Sequence, residues 1–307
     1  MPPDRQPLDA SAIGLITVLT MLWGFQQVTI KVAAADVSLV MQAGIRSIIA
    51  TAMLVGWAQV RGLALFGRDG TLACGLAAGV LFAGEFVFIY AGLAYTTASR
   101  MIVFLYTTPC FTALMLPIFV PGERLSARQW TGVILAFGGL LAAFAEGFLH
   151  QRAGTFVGDL CGVIAAFLWA STIVAIRATK LARTSATKTL FYQLAVSAVA
   201  LPIVSAAMGE PGVVRVTPVA VLALAYQGVI VAFASYLAWF WLLTKYLAAR
   251  LSVFTFLTPL FGVLFGVMFL SERITPAFIA AAGLVALGIV LVNLPERPAP
   301  SRGASRP

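Results

Sequence analysis

The sequence predicts an all-α integral membrane protein of ten transmembrane helices arranged as two inverted five-helix repeats. Three observations predict it. Of 307 residues, 61% are A, V, I, L, M, F, W, Y or C and only 10% are charged, a balance that a water-soluble domain cannot sustain. Ten apolar runs reach the roughly 20 residues, at ~1.5 Å rise, that a helix needs to cross lipid with its backbone satisfied. The second half of the chain repeats the first.

The spans fall at 12–34, 37–60, 71–94, 98–120, 127–147, 155–178, 186–208, 216–241, 248–270 and 276–294. The first is too long for the apolar region of a signal peptide and follows Asp4 and Asp9 rather than a basic run, so we expect a retained helix. Turn and charge signals mark the connections: Arg61-Gly62, Arg68-Asp69-Gly70, Pro121-Gly122-Glu123-Arg124, Lys180 with Arg183, Gly209-Glu210-Pro211 and Ser271-Glu272-Arg273. They are short and leave no room for a soluble catalytic domain. Ten spans put both termini on one side. With the termini inside, inner segments hold fourteen Lys and Arg and outer ones five (Lys31, Arg100, Arg152, Arg215 and Arg273), with Arg46 inside a span. We therefore expect cytoplasmic termini at a bacterial inner membrane. The organisation is a cytoplasmic N-terminus (1–11), a first repeat (12–147), a second repeat (155–294) and a disordered basic tail (295–307) suited to an anionic lipid surface.

The repeat is read residue by residue. Between 98–119 and 248–269, at a constant offset of 150, nine of 22 positions are identical, including Arg100/Arg250, Thr108/Thr258 and Pro109/Pro259. Glu123-Arg124-Leu125-Ser126 then faces Glu272-Arg273-Ile274-Thr275, and at an offset of 146 Trp23 and Lys31 match Trp169 and Arg177. Five helices is an odd number, so the second copy enters the membrane from the opposite side. Inverted copies suit alternating access to a midplane site; duplication with no such role is the plainer alternative.

Other classes lack their residues. No basic stretch interleaved with exposed aromatics supports nucleic-acid binding. Cys74, Cys110 and Cys161 sit in apolar runs at unrelated spacings, and His150, the only histidine, lies in a polar connection, so neither metal nor triad chemistry is expected. The chain has no phosphate-binding glycine signature, so neither ATP nor another cofactor is implied. An enzyme would need clustered His, Cys, Asp or Glu, and a channel would need rings of filter residues.

The chain resembles the drug/metabolite transporter superfamily, specifically EamA-type ten-helix permeases, over 12–294. The resemblance rests on Leu22-Trp23-Gly24, its echo Leu168-Trp169-Ala170, the Thr-Pro steps at Pro109 and Pro259, and the Gly-Glu-Arg and Ser-Glu-Arg turns. Within that superfamily it looks most like bacterial exporters of aromatic and other amino acids. The resemblance implies a central cavity built from spans one, three, four, six, eight and nine, with the fifth and tenth outside. It implies a secondary transporter exporting amino acids or related metabolites, with another metabolite or a drug-like solute as the alternative cargo. The expected partners are that small molecule and the lipid bilayer, with a monomer as the working unit.

Helix faces supply the candidate residues. Trp23, Gln26, Gln27 and Ile30 share one face of the first span, and Ala232, Ser235, Tyr236 and Trp239 one face of the eighth. Tyr90, Tyr106, Trp169 and Gln227 lie well inside theirs. Trp23, Gln27, Glu85, Tyr90, Tyr106, Trp169, Tyr236 and Trp239 are the expected cavity set. A mostly apolar pocket with a few amides and hydroxyls suits a neutral amphiphile, although these amides can equally satisfy neighbouring helices. Pro109 and Pro259 read as hinges or as static kinks, with Thr108 and Thr258 meeting the freed carbonyls. Glycines at four-residue spacing (Gly75/Gly79, Gly158/Gly162, Gly262/Gly266) read as close helix contacts. Lys31 and Arg177, at span ends, are expected to snorkel. Arg46 and Glu85 each lie nine residues from an outer span end, at Val37 and Ala94, or ~14 Å deep. They are expected to form an ion pair, either coupling or structural; the matching positions Tyr192 and Ser235 carry no charge.

Overall fold

The computed structural model describes residues 8–67, 69–93, 95–96, 98–143, 155–270 and 276–294. Residues 1–7, the connection with His150 and Arg152, the Ser271-Glu272-Arg273-Ile274-Thr275 turn and the basic tail lie outside the described residues. The described chain is helical: α1 (Ala10–Ala33), α2 (Leu39–Val60), α3 (Leu72–Leu93), α4 (Ala98–Leu105), α5 (Thr108–Phe119), α6 (Ala127–Ala143), α7 (Thr155–Ala178), a 3₁₀ turn (Lys180–Arg183), α8 (Ala186–Ala207), α9 (Pro218–Ala225), a π-helix (Tyr226–Ser235), α10 (Tyr236–Lys245), α11 (Ala248–Phe254), α12 (Leu257–Leu270) and α13 (Pro276–Asn293). Polar side chains start several of them: the Asp9 carboxylate accepts from the Ala12 N–H at 2.7 Å, and the Ser185 hydroxyl accepts from the Lys188 N–H at 3.2 Å.

Among the described residues eight helical stretches are long and apolar enough to cross a membrane: 10–33, 39–60, 72–93, 101–119, 155–178, 186–207, 218–245 and 248–269. Large side chains such as Val80, Ile118, Phe156 and Leu222 are exposed on them, as lipid-facing surfaces require. The fold is that of a multi-pass membrane protein. α6 and α13, at the fifth and tenth expected spans, are described over 17 and 18 residues and pack on each other. A Cβ on Gly132 would lie 2.6 Å from the Gly288 carbonyl oxygen, and one on Gly288 would lie 2.5 Å from that of Gly132, so only glycine permits this approach.

Two transmembrane stretches are broken in the same way. α4 ends at Leu105 and α5 begins at Thr108-Pro109; α11 ends at Phe254 and α12 begins two residues before Pro259. Proline has no N–H to offer the fourth residue back, and its ring crowds that carbonyl. The freed Leu105 carbonyl is met by the Thr108 hydroxyl at 2.6 Å. In the second half the Thr258 N–H bonds the Thr255 carbonyl at 3.0 Å, and the Thr258 hydroxyl is buried on the cavity wall without a hydrogen-bond partner, so it does not meet a freed carbonyl as expected. The expected glycine contacts divide likewise. Gly79 lies against Val196, and Gly158 against the Gly92 carbonyl; across α1 and α12 it is Gly24 that must be glycine, since a Cβ there would lie 2.8 Å from the Gly262 nitrogen, whereas one on Gly262 would make only ordinary contacts.

Candidate functional site

Enclosed among α1, α2, α3, α4, α7, α8, α10 and α12 is a cavity of about 200 Å³. α1 contributes Trp23, Gln26 and Gln27, α2 Arg46, and α3 Phe82, Glu85, Phe86 and Tyr90. Tyr106 lies at the α4–α5 break, Trp169 and Thr172 come from α7, Gln193 from α8, Tyr236 and Trp239 from α10, and Thr258 from α12. All eight residues of the expected cavity set, and Arg46, therefore face one space. Among the described residues α6 and α13 contribute no wall. Spans two and seven, outside the set implied by the resemblance, add Arg46 and Gln193. Pro109 and Pro259 are buried beside this space rather than lining it. Phe82, Phe86 and Gln193 were absent from the expected set. For the two phenylalanines a signal existed: 82, 85, 86, 89, 90 and 93 form one stripe along α3 at helical spacing.

The walls are held by aromatic edges. The Trp23 indole N–H donates to the Ser235 hydroxyl at 2.8 Å, and its ring meets Tyr236 at 6.1 Å and Trp239 at 5.7 Å, both edge-on. Trp169, at the matching position of the second half, meets Tyr106 edge-on at 6.0 Å. Such pairs contribute about 0.5–1.5 kcal/mol each beyond area burial and leave few rotamers, so the cavity is preformed.

Arg46 is 3% exposed and Glu85 6%. The expected direct ion pair between them is not formed. The Arg46 guanidinium lies over the Phe86 ring, 4.4 Å from its centroid, and faces the Tyr236 hydroxyl, while the described ion pairs lie elsewhere. Counting residues from a helix end fixes depth but not direction around the helix, and the aromatic face claims the cation. Arg46 and Glu85 remain close enough to interact through space. One oxygen of Glu85, the Arg46 Nε and the Gln193 side-chain oxygen are buried without a hydrogen-bond partner in the protein. A charge at this depth costs ~2.5–3.5 kcal/mol on insertion scales, and such residues mark solute or ion pathways.

The two ends of the cavity differ. Its lining runs out to Ile30, Leu39, Leu93 and Met101, where α1 and α3 finish and α2 and α4 begin, but toward the other end it stops at Ile173 and Phe240. Beyond that limit Arg177, 4% exposed rather than snorkelling, pairs with Glu123 and donates to the Leu243 carbonyl and, at 3.0 Å, to that of Tyr246. The Tyr246 hydroxyl donates to Asp9 at 2.8 Å and Lys188 pairs with Asp69 at 2.7 Å. The Ala12 N–H, Ser11 and Tyr246 together hold the Asp9 carboxyl below its usual range. Lys188 and Thr71 hold Asp69 well below it. Lys31, which the repeat matches to Arg177, is exposed at the opposite end.

Comparison with known proteins accords with this architecture. The chain is 29% identical to an uncharacterized transporter of Archaeoglobus fulgidus, over 88% of this chain and 92% of that one. It is 25% identical to a "probable amino-acid metabolite efflux pump" of Escherichia coli, over 91% of each. A solved crystal structure shares the fold, with a TM-score of 0.78 at 20% identity, over 92% of this chain and 96% of that one. The model of the EamA-like transporter family matches twice, over residues 10–145 and 156–294. With both halves matched, the chain belongs to the EamA-like transporter family and is a transporter rather than an enzyme.

Proposed function

We propose that the protein exports amino acids, aromatic and other neutral ones first, across the bacterial inner membrane by alternating access. The observation that carries this reading is the pair Arg46 and Glu85, opposite charges facing one small aromatic cavity without closing on each other. A zwitterion fits that arrangement. Its carboxylate takes Arg46, its ammonium takes Glu85, and its side chain lies among Trp23, Trp169, Tyr236 and Trp239, with Gln27, Tyr90 and Tyr106 completing the wall. Ammonium and proton compete for the Glu85 carboxyl, which is the elementary requirement for exchange. The volume also discriminates: about 200 Å³ is below the ~300–1,000 Å³ of pockets for drug-sized ligands, which favours a small metabolite over a drug-like solute. The name of the Escherichia coli relative points the same way.

The reading includes ten spans in two inverted repeats, a monomeric working unit and cytoplasmic termini. Supporting it are the double family match, the α6–α13 pair at the ends of the two halves, and contacts that exchange when the halves are exchanged: α1 on α12 answers α5 on α7, and α2 on the π-helix answers α3 on α8. The breaks before Pro109 and Pro259 then serve as hinges. On this sidedness the described conformer faces outward and is sealed inside at Arg177.

Counterflow of labelled amino acids in proteoliposomes, with and without a pH gradient, tests the function. Saturable flux of phenylalanine, tyrosine or tryptophan is expected; flux of no amino acid refutes the substrate class. Membrane-impermeant labelling of a cysteine at Ala10 in intact spheroplasts tests the sidedness, and modification there overturns it.

A further inference from the structure

We infer that a second site, on the membrane-facing side of the bundle, binds one anionic phospholipid. A crevice of about 1050 Å³ opens between the end of α2, the start of α8 and the π-helix with α10. Trp57, Phe233, Leu237 and Trp241 form its walls, and Arg61 and Arg183 stand at its rim with Ser185. No acidic residue lines it among the described residues.

Depth and charge together identify the occupant. Arg61 follows the last residue of α2, and Arg183 closes the 3₁₀ turn before α8. Lys245, the last residue of α10, sits over the Trp241 ring at 4.2 Å, as Arg61 sits over Trp57 at 4.9 Å. Cations thus gather where transmembrane helices end, at headgroup level. From Thr244 back to Phe233 the walls descend eleven residues, or ~16 Å at ~1.5 Å per residue. That is about half of the ~30 Å hydrocarbon core, the reach of one leaflet's acyl chain. Below the rim the walls are apolar, with Trp57 38% and Trp241 42% exposed to the surrounding lipid and a Trp57–Phe233 edge contact at 6.5 Å. A free phosphate leaves those walls unmet, and a zwitterionic headgroup does not answer two arginines. A phosphodiester between Arg61 and Arg183, with its chain against Phe233 and Leu237, meets both. An interfacial aromatic belt lies on convex surfaces; here three separate segments converge on a concavity. The occupant packs on the reverse side of the wall that presents Tyr236 and Trp239 to the cavity.

The experiment is contact quenching of tryptophan fluorescence in the full-length protein by brominated-chain phosphatidylglycerol or brominated-chain phosphatidylcholine in mixed micelles. Each cation near an anionic headgroup favours binding about fivefold, so two predict half-maximal quenching at an about 25-fold lower fraction of phosphatidylglycerol. The phosphatidylglycerol-specific component is expected to vanish in W57F/W241F and the preference to collapse in R61Q/R183Q. In the wild-type protein, which needs no variant to fold, raised salt must weaken the preference. Equal quenching by the two lipids, a preference that survives R61Q/R183Q, or complete displacement by glycerophosphate alone overturns the proposal.

Discussion

Replacing Glu123 by Gln removes the charge that faces Arg177 while keeping the size of the side chain. Both members are buried, with side chains 1% and 2% exposed, and the contact joins residues 54 apart in sequence. Breaking a buried ion pair costs about 3–5 kcal/mol, because a desolvated charge loses a counter-charge. Arg177 keeps the Leu243 and Tyr246 carbonyls, so the lower end, about 3 kcal/mol, is expected. At ~2 °C per kcal/mol for a chain of this size, the midpoint of thermal unfolding in detergent falls by about 6 °C. Replacing both residues, Glu123→Leu with Arg177→Met, restores most of that loss, since a packed apolar pair substitutes for a desolvated ionic one at little net cost. The same change acts on the conformational equilibrium. On the proposed alternating access the pair forms only while this end is closed, so losing about 3 kcal/mol of closed-state stabilisation shifts the population toward opening here by about 100-fold. Thr172 lines the cavity near this end, and a cysteine there reports the shift as faster modification from the Arg177 side. If Glu123→Gln lowers the unfolding temperature but leaves modification at 172 unchanged, the pair is structural and not a gate. If neither changes, the reasoning from burial fails.

Three further outcomes are expected. Glu85→Gln keeps expression and thermal stability but loses transport or its pH dependence in proteoliposome counterflow; loss of stability alone makes the residue structural. Trp23→Ala removes two edge-on ring contacts and Trp169→Ala one, each contact worth about 1 kcal/mol; each variant also loses direct contact to the solute and raises the transport KM about tenfold in well-folded protein, and an unchanged KM and rate in both removes these residues from the site. The Asp69 carboxyl, held below its ordinary 3.8 by Lys188 first, adds stability that is whole well above pH 3.8 and is lost as the pH falls toward the lower folded value. The wild type and Asp69→Asn therefore differ in thermal stability at neutral pH and converge in acid; a difference that persists in acid refutes the pairing.

Much of the site is legible because lipid makes polar residues informative. In a water-soluble helix Gln27 or Tyr90 points nowhere in particular, but in a membrane helix each needs protein, solute or water to face, and all the expected cavity residues face one space. The Thr-Pro breaks are legible for an equally local reason, the missing N–H of proline. What failed depends on direction and distance. Arg46 does not close on Glu85 as expected, because sequence spacing does not reveal that the guanidinium lies over the Phe86 ring and faces Tyr236. Arg177 looked like a snorkelling end residue because its partner comes from a connection 54 residues earlier. The π-helix at Tyr226–Ser235 left no trace in hydropathy, which sees one continuous span where the chain forms three consecutive helical segments.

The positions at which the repeat loses its likeness separate scaffold from site. Arg46 and Glu85 match Tyr192 and Ser235. In the second half these positions serve the frame: the Tyr192 hydroxyl bonds that of Thr71 at 3.0 Å and its ring covers Gly75, while Ser235 accepts the Trp23 indole N–H. In the first half the same positions hold charges aimed at the cavity, where they cost stability and meet no direct counter-charge. Two matched halves make two exchangeable closures economical, since one set of contacts can form at either end. A solute with distinct positive and negative ends has no such symmetry, so its recognition must break the likeness. On the proposed function the charged pair does so, and Trp23 and Trp169, which keep the likeness, supply an aromatic wall that either arrangement of the halves can present. By this logic, exchanging the charges for their second-half counterparts, Arg46→Tyr with Glu85→Ser, leaves a folded bundle that still opens and closes but no longer selects a zwitterion. A double variant that unfolds, or that transports with unaltered selectivity, contradicts this division between frame and site.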